Sequence, residues 1–412
     1  MQLIVTIFVW VLASAAASAP KSEDLLGDIV VEATDPGRGG PRLMRIVVPP
    51  VDGPAPHQER VDQILRRDLD LSGQFALLDA TKPESVRAAE AVVRVAVRST
   101  GAGVVELSAA VFFDPEADVP AYETTMSGRI TDMRRTSHAL VDAIIGALTG
   151  YRGPFASRLT FVVTRGDRRS LHVIDADGFG LRRISDEHQL VGAAAIGPDD
   201  AVYYSASVRN GRYRLLRTGE AEPLAVQPPG SIYGIAFSPD RARVALTIAM
   251  GRDIRLYAGA SDFSDLQPLG KVSLALSPAV SARGAVAVSG ATGSRPRIWL
   301  DGRAVSPPGA AASSPSFCEH PDGTRLVYAL GSRQRSDIVV ADHRGRNPQQ
   351  VTRDRGRHSH PACSPDGRLV AFFSDRRTLE GPGLYVMRID GHRPRKIANV
   401  RGDSLQWART SP

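Results

Sequence analysis

The sequence predicts a multidomain chain of α/β plus all-β type: a small N-terminal mixed α/β domain followed by a six-bladed β-propeller closed by the C-terminal strand. Three observations predict it. From about residue 158 onward a Pro-Asp type of turn recurs every ~40 residues, the period of a four-stranded blade. Gly (38) and Pro (29) are abundant while aromatic residues make up only 6% of the 412 residues, the balance expected of many short strands joined by tight turns. Apolar residues at helical spacing are found ahead of residue 157.

The first residues address the compartment. Leu3 to Leu12 is apolar except for Thr6, and Ala13 to Ala19 supplies the small residues that a signal peptidase accepts. Residues 1–19 therefore read as a signal peptide, and cleavage after Ala17 avoids leaving Pro20 directly after the scissile bond. An uncleaved membrane anchor is the alternative, against which stands a run shorter than the ~20 apolar residues a spanning helix needs. The mature chain is then expected in the periplasm, with no membrane insertion.

Residues 20–157 carry the α/β pattern. Strands are expected at 28–33 and 43–48, then a helix over 58–71 with Val61, Ile64, Leu65 and Leu69 on one face. A strand at 75–78, a helix near 83–91 and strands at 92–97, 104–112 and 121–127 follow. A helix over 133–148 aligns Leu140, Val141, Ile144, Ile145 and Leu148, and Gly150 is placed to end it. The stretch from Gly150 to Pro154 reads as a hinge.

Residues 158–412 carry the repeats. Gly197-Pro198-Asp199-Asp200, Ser238-Pro239-Asp240, Ser277-Pro278, His320-Pro321-Asp322-Gly323 and Ser364-Pro365-Asp366-Gly367 mark successive turns. Pro fixes φ, Asp bonds its own backbone and Gly accepts positive φ. The first unit has three strands and no inner one; the segment from Ser404 to Ala408 has the right character to supply it and remove an open edge.

Several function classes are excluded by their missing chemistry. The net charge of +7 is nearly all arginine dispersed among acids, which reads as a solvated surface and not as a nucleic-acid face. No G-x-S-x-G, H-E-x-x-H, P-loop or dinucleotide motif occurs. Catalytic residues, metal ligands and cofactors are therefore expected to be none. The turn Asp175-Ala176-Asp177-Gly178 lacks the remainder of a calcium loop and reads as a hairpin turn. His57 reads as a solvated neighbour of the first helix cap, and His358 and His360 as polar lining of a channel mouth. Cys318 and Cys363 read as small buried strand residues, with a disulfide between neighbouring blades left open because they are not in identical repeat positions.

Against this background the chain resembles the TolB family of the Tol-Pal cell-envelope system. The resemblance rests on the stretch 362–375 (ACSPDGRLVAFFSD) with 384–391 (LYVMRIDG), on 64–79 (ILRRDLDLSGQFALLD), on Leu148 to Phe155 with Arg158-Leu159, and on Asp175 to Phe179. It implies a periplasmic scaffold and not an enzyme. Its implied partners are a Pal-like peptidoglycan-associated lipoprotein at the propeller mouth and a TolA-like inner-membrane protein at the extended N-terminus, in support of outer-membrane integrity and cell division. The implied contact residues are Asp28, Ile29, Val30, Val31 and Glu32 for strand addition, and Ser231, Tyr233, Ser273 and His360 at the mouth. Alternatives are a propeller hydrolase or lyase of periplasmic glycans and an assembly protein outside the Tol system. The fourth unit keeps Ser277-Pro278 without Asp-Gly, and Arg241 replaces Gly in the third.

Overall fold

The computed structural model describes residues 40–409, apart from 102, 187–188, 208–212, 221, 226, 271, 292, 294, 333 and 378–379. The expected leader and the strand at 28–33 lie outside the described residues.

The N-terminal part is one mixed sheet with helices. Its strands are β1 (Met44–Val47), β2 (Phe75–Leu78), β3 (Ala91–Gly101), β4 (Val104–Phe112) and β5 (Tyr122–Arg129), in the order β2-β1-β3-β4-β5. β1 runs parallel to β2 and β3, because α1 (Ala55–Leu71) and α2 (Pro83–Ala88) make the crossovers, whereas β3, β4 and β5 form antiparallel hairpins. α1 begins three residues earlier than its apolar pattern, since Pro56 is compatible with a first turn whose N–H groups need no helical partner. It buries Val61, Ile64, Leu65 and Leu69 as expected. α3 (Met133–Thr149) buries Leu140, Val141, Ile144 and Ile145 and ends at Gly150, whose φ of 83° only glycine adopts without strain.

Six sheets follow in sequence. Blade 1 pairs the C-terminal strand Asp403–Arg409 with Ser157–Arg165, then Arg168–Asp175 and Arg182–Arg183. Ring closure by the chain's last strand is thus present. Trp407, 8% exposed, seats its indole in the blade, and its Nε1–H donates to Ser157 Oγ at 2.7 Å across 250 residues. Blades 3 to 6 have four strands each, and blade 2 has three among the described residues.

One expectation is corrected, and one pairing left open is answered. In blade 4 Ser277-Pro278 is not the turn: it lies inside the inner strand Ser273–Val280, and the turn is Ser281 to Gly284, with Gly284 N–H donating to Ser281 O at 3.0 Å. That turn keeps the Ser and Gly of its siblings and lacks their Pro and Asp. The cysteines, in turn, are disulfide-bonded, joining the ends of the inner strands Ala311–Cys318 and His358–Cys363 at a Cα separation of 5.2 Å. Register breaks between Ser313 and Ser316 and between Ser359 and Ala362 accompany these strands, so repeat position read from the sequence does not give position in space.

The hydrophobic core runs without interruption from the α/β part into the propeller. One cluster contains Leu65, Leu69 and Ile144 together with Phe155, Phe161, Phe373 and Trp407.

Candidate partner-binding surfaces

Inner strands line a central channel, and its two ends differ. At the end away from the α/β part, the inner strands of blades 3 to 6 and the closing strand each carry a register break: at Ile232/Gly234, Leu276/Ala279, Ser313/Ser316, Ser359/Ala362 and Asp403/Gln406. Four of the residues in these breaks have left-handed backbones, Ser277 (φ 51°), Ser314 (53°), His360 (50°) and Ser404 (54°). Left-handed non-glycine residues are costly and cluster where structure over-determines them. Together with Tyr233 they line one small cavity at the channel's distal mouth.

His360 is the polar centre of this mouth. Its Nδ1 lies 3.1 Å from Ser314 Oγ and accepts from the Ser404 N–H at 3.3 Å. Burial pushes its pKa down and the Arg169 and Arg357 charges act the same way, against the opposing pull of Asp403. The ring is thus held neutral, an acceptor at Nδ1. Around it the mouth is apolar and open: Tyr233, Leu274 and Leu276 are 48%, 51% and 41% exposed.

Of the residues expected at a mouth, Tyr233 and His360 converge on this cavity. Ser231 and Ser273 begin their inner strands, paired with Ala249 and Ala291, and do not line it; the segment 231–234 is strand and not loop. His358 is corrected: it is fully buried inside blade 6, edge-on to Phe372, with Nε2 3.4 Å from Asp354 O, and lines no mouth. Asp28, Ile29, Val30, Val31 and Glu32 lie outside the described residues. Sequence reasoning missed Leu274, Leu276, Ser314 and Ser404. A usable signal was the X-Pro pair within the inner strands, Ser277-Pro278, Ser314-Pro315 and His360-Pro361.

The side of the propeller that meets the α/β part, by contrast, carries an ion-pair junction on blades 1 and 6, beside a cavity of about 320 Å³ lined by the ends of the inner strands, Ala195, Ser238, Val280, Ser316, Ser364 and Ala408 among them. Arg134 of α3 bridges Asp175 (Nε to Oδ2, 3.2 Å) and Asp177 of the first-blade turn, and Arg67 Nε donates to Asp177 O at 2.7 Å. The turn is a hairpin turn as expected, with Gly178 N–H donating to Asp175 O at 2.8 Å, but its Asp177 is almost wholly buried in the junction. His138, Asp175 and Asp177 bring ligand atoms within 4.8 Å of one another, and there the Arg134 guanidinium already supplies the compensating positive charge. Behind it His138 Nδ1 meets Asp68 Oδ2 at 2.6 Å, both groups buried. Burial drives the Asp68 carboxyl up to about 6 against the pull of His138. Burial also works against a charged His138, but the Asp68 charge and hydrogen bond outweigh it and hold the imidazole up.

The expected hinge is also corrected. The Asp142 carboxylate of α3 accepts from the N–H groups of Phe155 (2.7 Å) and Ala156 (2.9 Å), and Asp142 O accepts from Gly153 N–H at 3.0 Å. The segment is pinned to the helix it leaves, and burial raises Asp142 to about 7. Further out, Asp70 of α1 pairs with Arg393 and Arg395 of blade 6, and Arg368 donates to Gln74 Oε1 at 2.7 Å.

Fold and surfaces together define a class: a six-bladed propeller joined through a buried ion-pair junction to an α/β domain, with a small polar cavity inside its channel and a larger one, of about 320 Å³, at the junction-side ends of its inner strands. The chain is TolB-like in sequence and fold. It is 29% identical over 175 residues to the Tol-Pal system protein TolB of Azoarcus sp. (strain BH72), covering 40% of each chain. To the protein of the same name from Polaromonas naphthalenivorans it is 26% identical over 228 residues, 49% of this chain and 52% of that one. These matched stretches span about half or less of the curated relatives' length. The crystal structure of TolB from Acinetobacter baumannii superposes with a TM-score of 0.71 at 20% identity, covering 89% of this chain and 97% of that one, which establishes the fold. No family model matches the sequence. Among the described residues no helix is long and apolar enough to cross a membrane.

Proposed function

We propose that this chain is a periplasmic scaffold of a Tol-Pal system, divided into a leader (1–19), an α/β domain (20–157) and a propeller (158–412). The distal mouth docks a Pal-like lipoprotein, and the N-terminal segment that includes residues 28–32 docks a TolA-like protein by strand addition. One observation carries the reading: the half-exposed apolar side chains Tyr233, Leu274 and Leu276 stand around a mouth whose only ionisable lining residues, among those described, are Tyr233 and a neutral His360. An exposed apolar rim around a small polar centre suits a docked protein, while hydrolytic chemistry asks for converging acids and bases.

The test is calorimetric titration of each partner separately against the full mature chain. Tyr233→Ala with His360→Ala is expected to weaken the Pal-like partner by about 30-fold, the scale of an aromatic hot spot, and to leave the TolA-like one unchanged. Val30→Pro, which removes an N–H donor, is expected to do the reverse. Swapped losses would overturn the assignment of surfaces. Failure of both partners to bind the unaltered chain at micromolar concentration would overturn the Tol-Pal reading.

A further inference from the structure

A strand at the edge of a sheet exposes unpaired N–H and C=O groups, and folds ordinarily keep such strands short, bulged, like-charged or interrupted by proline. Among the described residues this molecule follows that rule with one exception. The outermost strands of its blades have two to five residues, and β2, at one edge of the α/β sheet, has four. β5 (Tyr122–Arg129), at the opposite edge, has eight, pairs with β4 without a register shift and contains no proline. Its two charged residues, Glu123 and Arg129, are of opposite sign.

The register identifies the free groups. Ile130 N–H donates to Gly103 O at 2.8 Å, one step beyond the Arg129–Val104 pair. Backbone groups alternate in direction along an antiparallel strand. Tyr122, Thr124, Met126 and Gly128 therefore bond to β4, and the N–H and C=O groups of Glu123, Thr125, Ser127 and Arg129 point away from the sheet. The side chains of these last four are exposed, on the face opposite α3. On the α3 face Tyr122 and Met126 pack on the core, and Gly128 makes room for Thr136. Among the described residues neither the Glu123 nor the Arg129 side chain has a hydrogen-bond or ion-pair partner.

We propose that β5 is a self-complementary docking edge whose occupant is the β5 of a second copy of this chain, paired antiparallel about a two-fold axis at Met126. Two independent constraints select this register. Outward groups must meet outward groups, so odd-numbered residues pair with odd-numbered ones, and the greatest overlap then centres on Met126. The same centre sets Glu123 opposite Arg129 of the second copy and Thr125 opposite its Ser127, each pair occurring twice by symmetry. Opposite charges attract directly across a strand pair, and Thr and Ser hydrogen-bond there. Centres at Thr125 or Ser127 shorten the overlap and separate the charges. On the α3 face Ile130, 38% exposed, meets Tyr122 of the second copy. A two-fold contact closes on itself and leaves neither edge open, so the product is a dimer and not a filament. The edge is separate from the distal mouth, and the proposal does not rest on the Tol-Pal reading.

The test is sedimentation of the full mature chain in the analytical ultracentrifuge, where a reversible monomer–dimer equilibrium is expected in the micromolar range. Glu123→Arg sets like charges opposite each other at both ends of the paired strands and is expected to weaken the dimer at least about tenfold. Glu123→Arg combined with Arg129→Glu exchanges the two charges and is expected to restore it, a recovery that damage to the fold would not give. Thr125→Pro removes an outward N–H, where an edge strand accepts proline without losing a bond to β4, and is expected to abolish the dimer. All three positions are exposed, and unchanged unfolding midpoints check that the fold is kept. A chain that stays monomeric throughout the micromolar range overturns the proposal. So does a dimer that Glu123→Arg leaves intact, one that the charge exchange fails to restore, or one that survives Thr125→Pro.

Discussion

The propeller's junction with the α/β part and its central channel have been built by opposite means. At the junction, buried carboxylates meet arginines, a histidine and backbone N–H groups contributed from three elements. At the distal end the inner strands break register, take left-handed turns and leave Tyr233, Leu274 and Leu276 exposed. Buried polar groups that pair across elements specify one arrangement, and here they do so although Asp68 Oδ1 and His138 Nε2 find no hydrogen-bond partner, whereas an unfilled apolar rim is a surface that gains by being covered. The difference teaches where the molecule stores its stability and where it keeps its capacity to bind.

The closing strand belongs to both ends, and its removal is the most severe way to break the contrast. Truncation after residue 402 deletes Leu405 and Trp407, 4% and 8% exposed, and leaves Ser157–Arg165 with an unpaired edge. A loss of at least about 5 kcal/mol is expected from the two buried side chains alone, read as a lowered midpoint in urea. An unchanged midpoint would mean that the ring holds without this strand.

Next in size is the Cys318–Cys363 bridge, which closes a span of 45 residues between blades 5 and 6 near their proximal turns. Loop-closure entropy puts its contribution at about 4 kcal/mol. Cys318→Ala/Cys363→Ala is expected to lower the unfolding midpoint accordingly, with no change in partner affinity at the distal mouth. A stability loss well under 1 kcal/mol would remove the bridge from the account.

The smallest effect sharpens the comparison best, because the two ends titrate with opposite sign. Asp142 and Asp68 sit at about 7 and about 6 when folded, above their ordinary 3.8. Between those values the folded chain binds more protons than the unfolded one, so stability falls as pH rises. His138, raised above 6.5, acts in the same direction: its contribution is complete at low pH and is lost as pH rises through its folded value. His360, lowered below 6.5, acts the other way, losing its contribution as pH falls through that range. His172, His320 and His358, lowered likewise by burial, act with His360, so the junction is read by difference: from pH 6.5 to 8 the stability of Asp142→Asn is expected to change more favourably than that of the unaltered chain by roughly 1 kcal/mol. Parallel profiles would refute the junction's part in it.

Much of this was legible in the sequence, and the reasons are local. Pro-Asp-Gly turns announce themselves within four residues, and the helices of the α/β part declare their buried faces through Val61, Ile64, Leu65 and Leu69. The closing strand was legible because the first unit lacked an inner strand. What was not legible depends on distance in the chain. Asp68 and His138 are 70 residues apart and Asp70 and Arg393 are 323 apart, and neither pair has a spacing that advertises it. The mouth was half legible. Tyr233 and His360 were found, but the bulges that aim the neighbouring serines into the channel obey register and not composition, and the same slippage disguised Ser277-Pro278 as a turn and hid the pairing of the cysteines.

The bond from Trp407 to Ser157 joins the last strand to the first of the ring, and this has a meaning in time. A chain made from its N-terminus presents Ser157–Arg165 long before Asp403–Arg409 exists. For the interval in which the other five blades emerge, Ser157–Arg165 waits with its backbone groups unpaired, a template for any extended segment nearby. The ring is finished only when Asp403–Arg409 arrives, so the protein's vulnerable period falls within its own synthesis, and whatever shields a nascent edge strand in the cell has this one to guard.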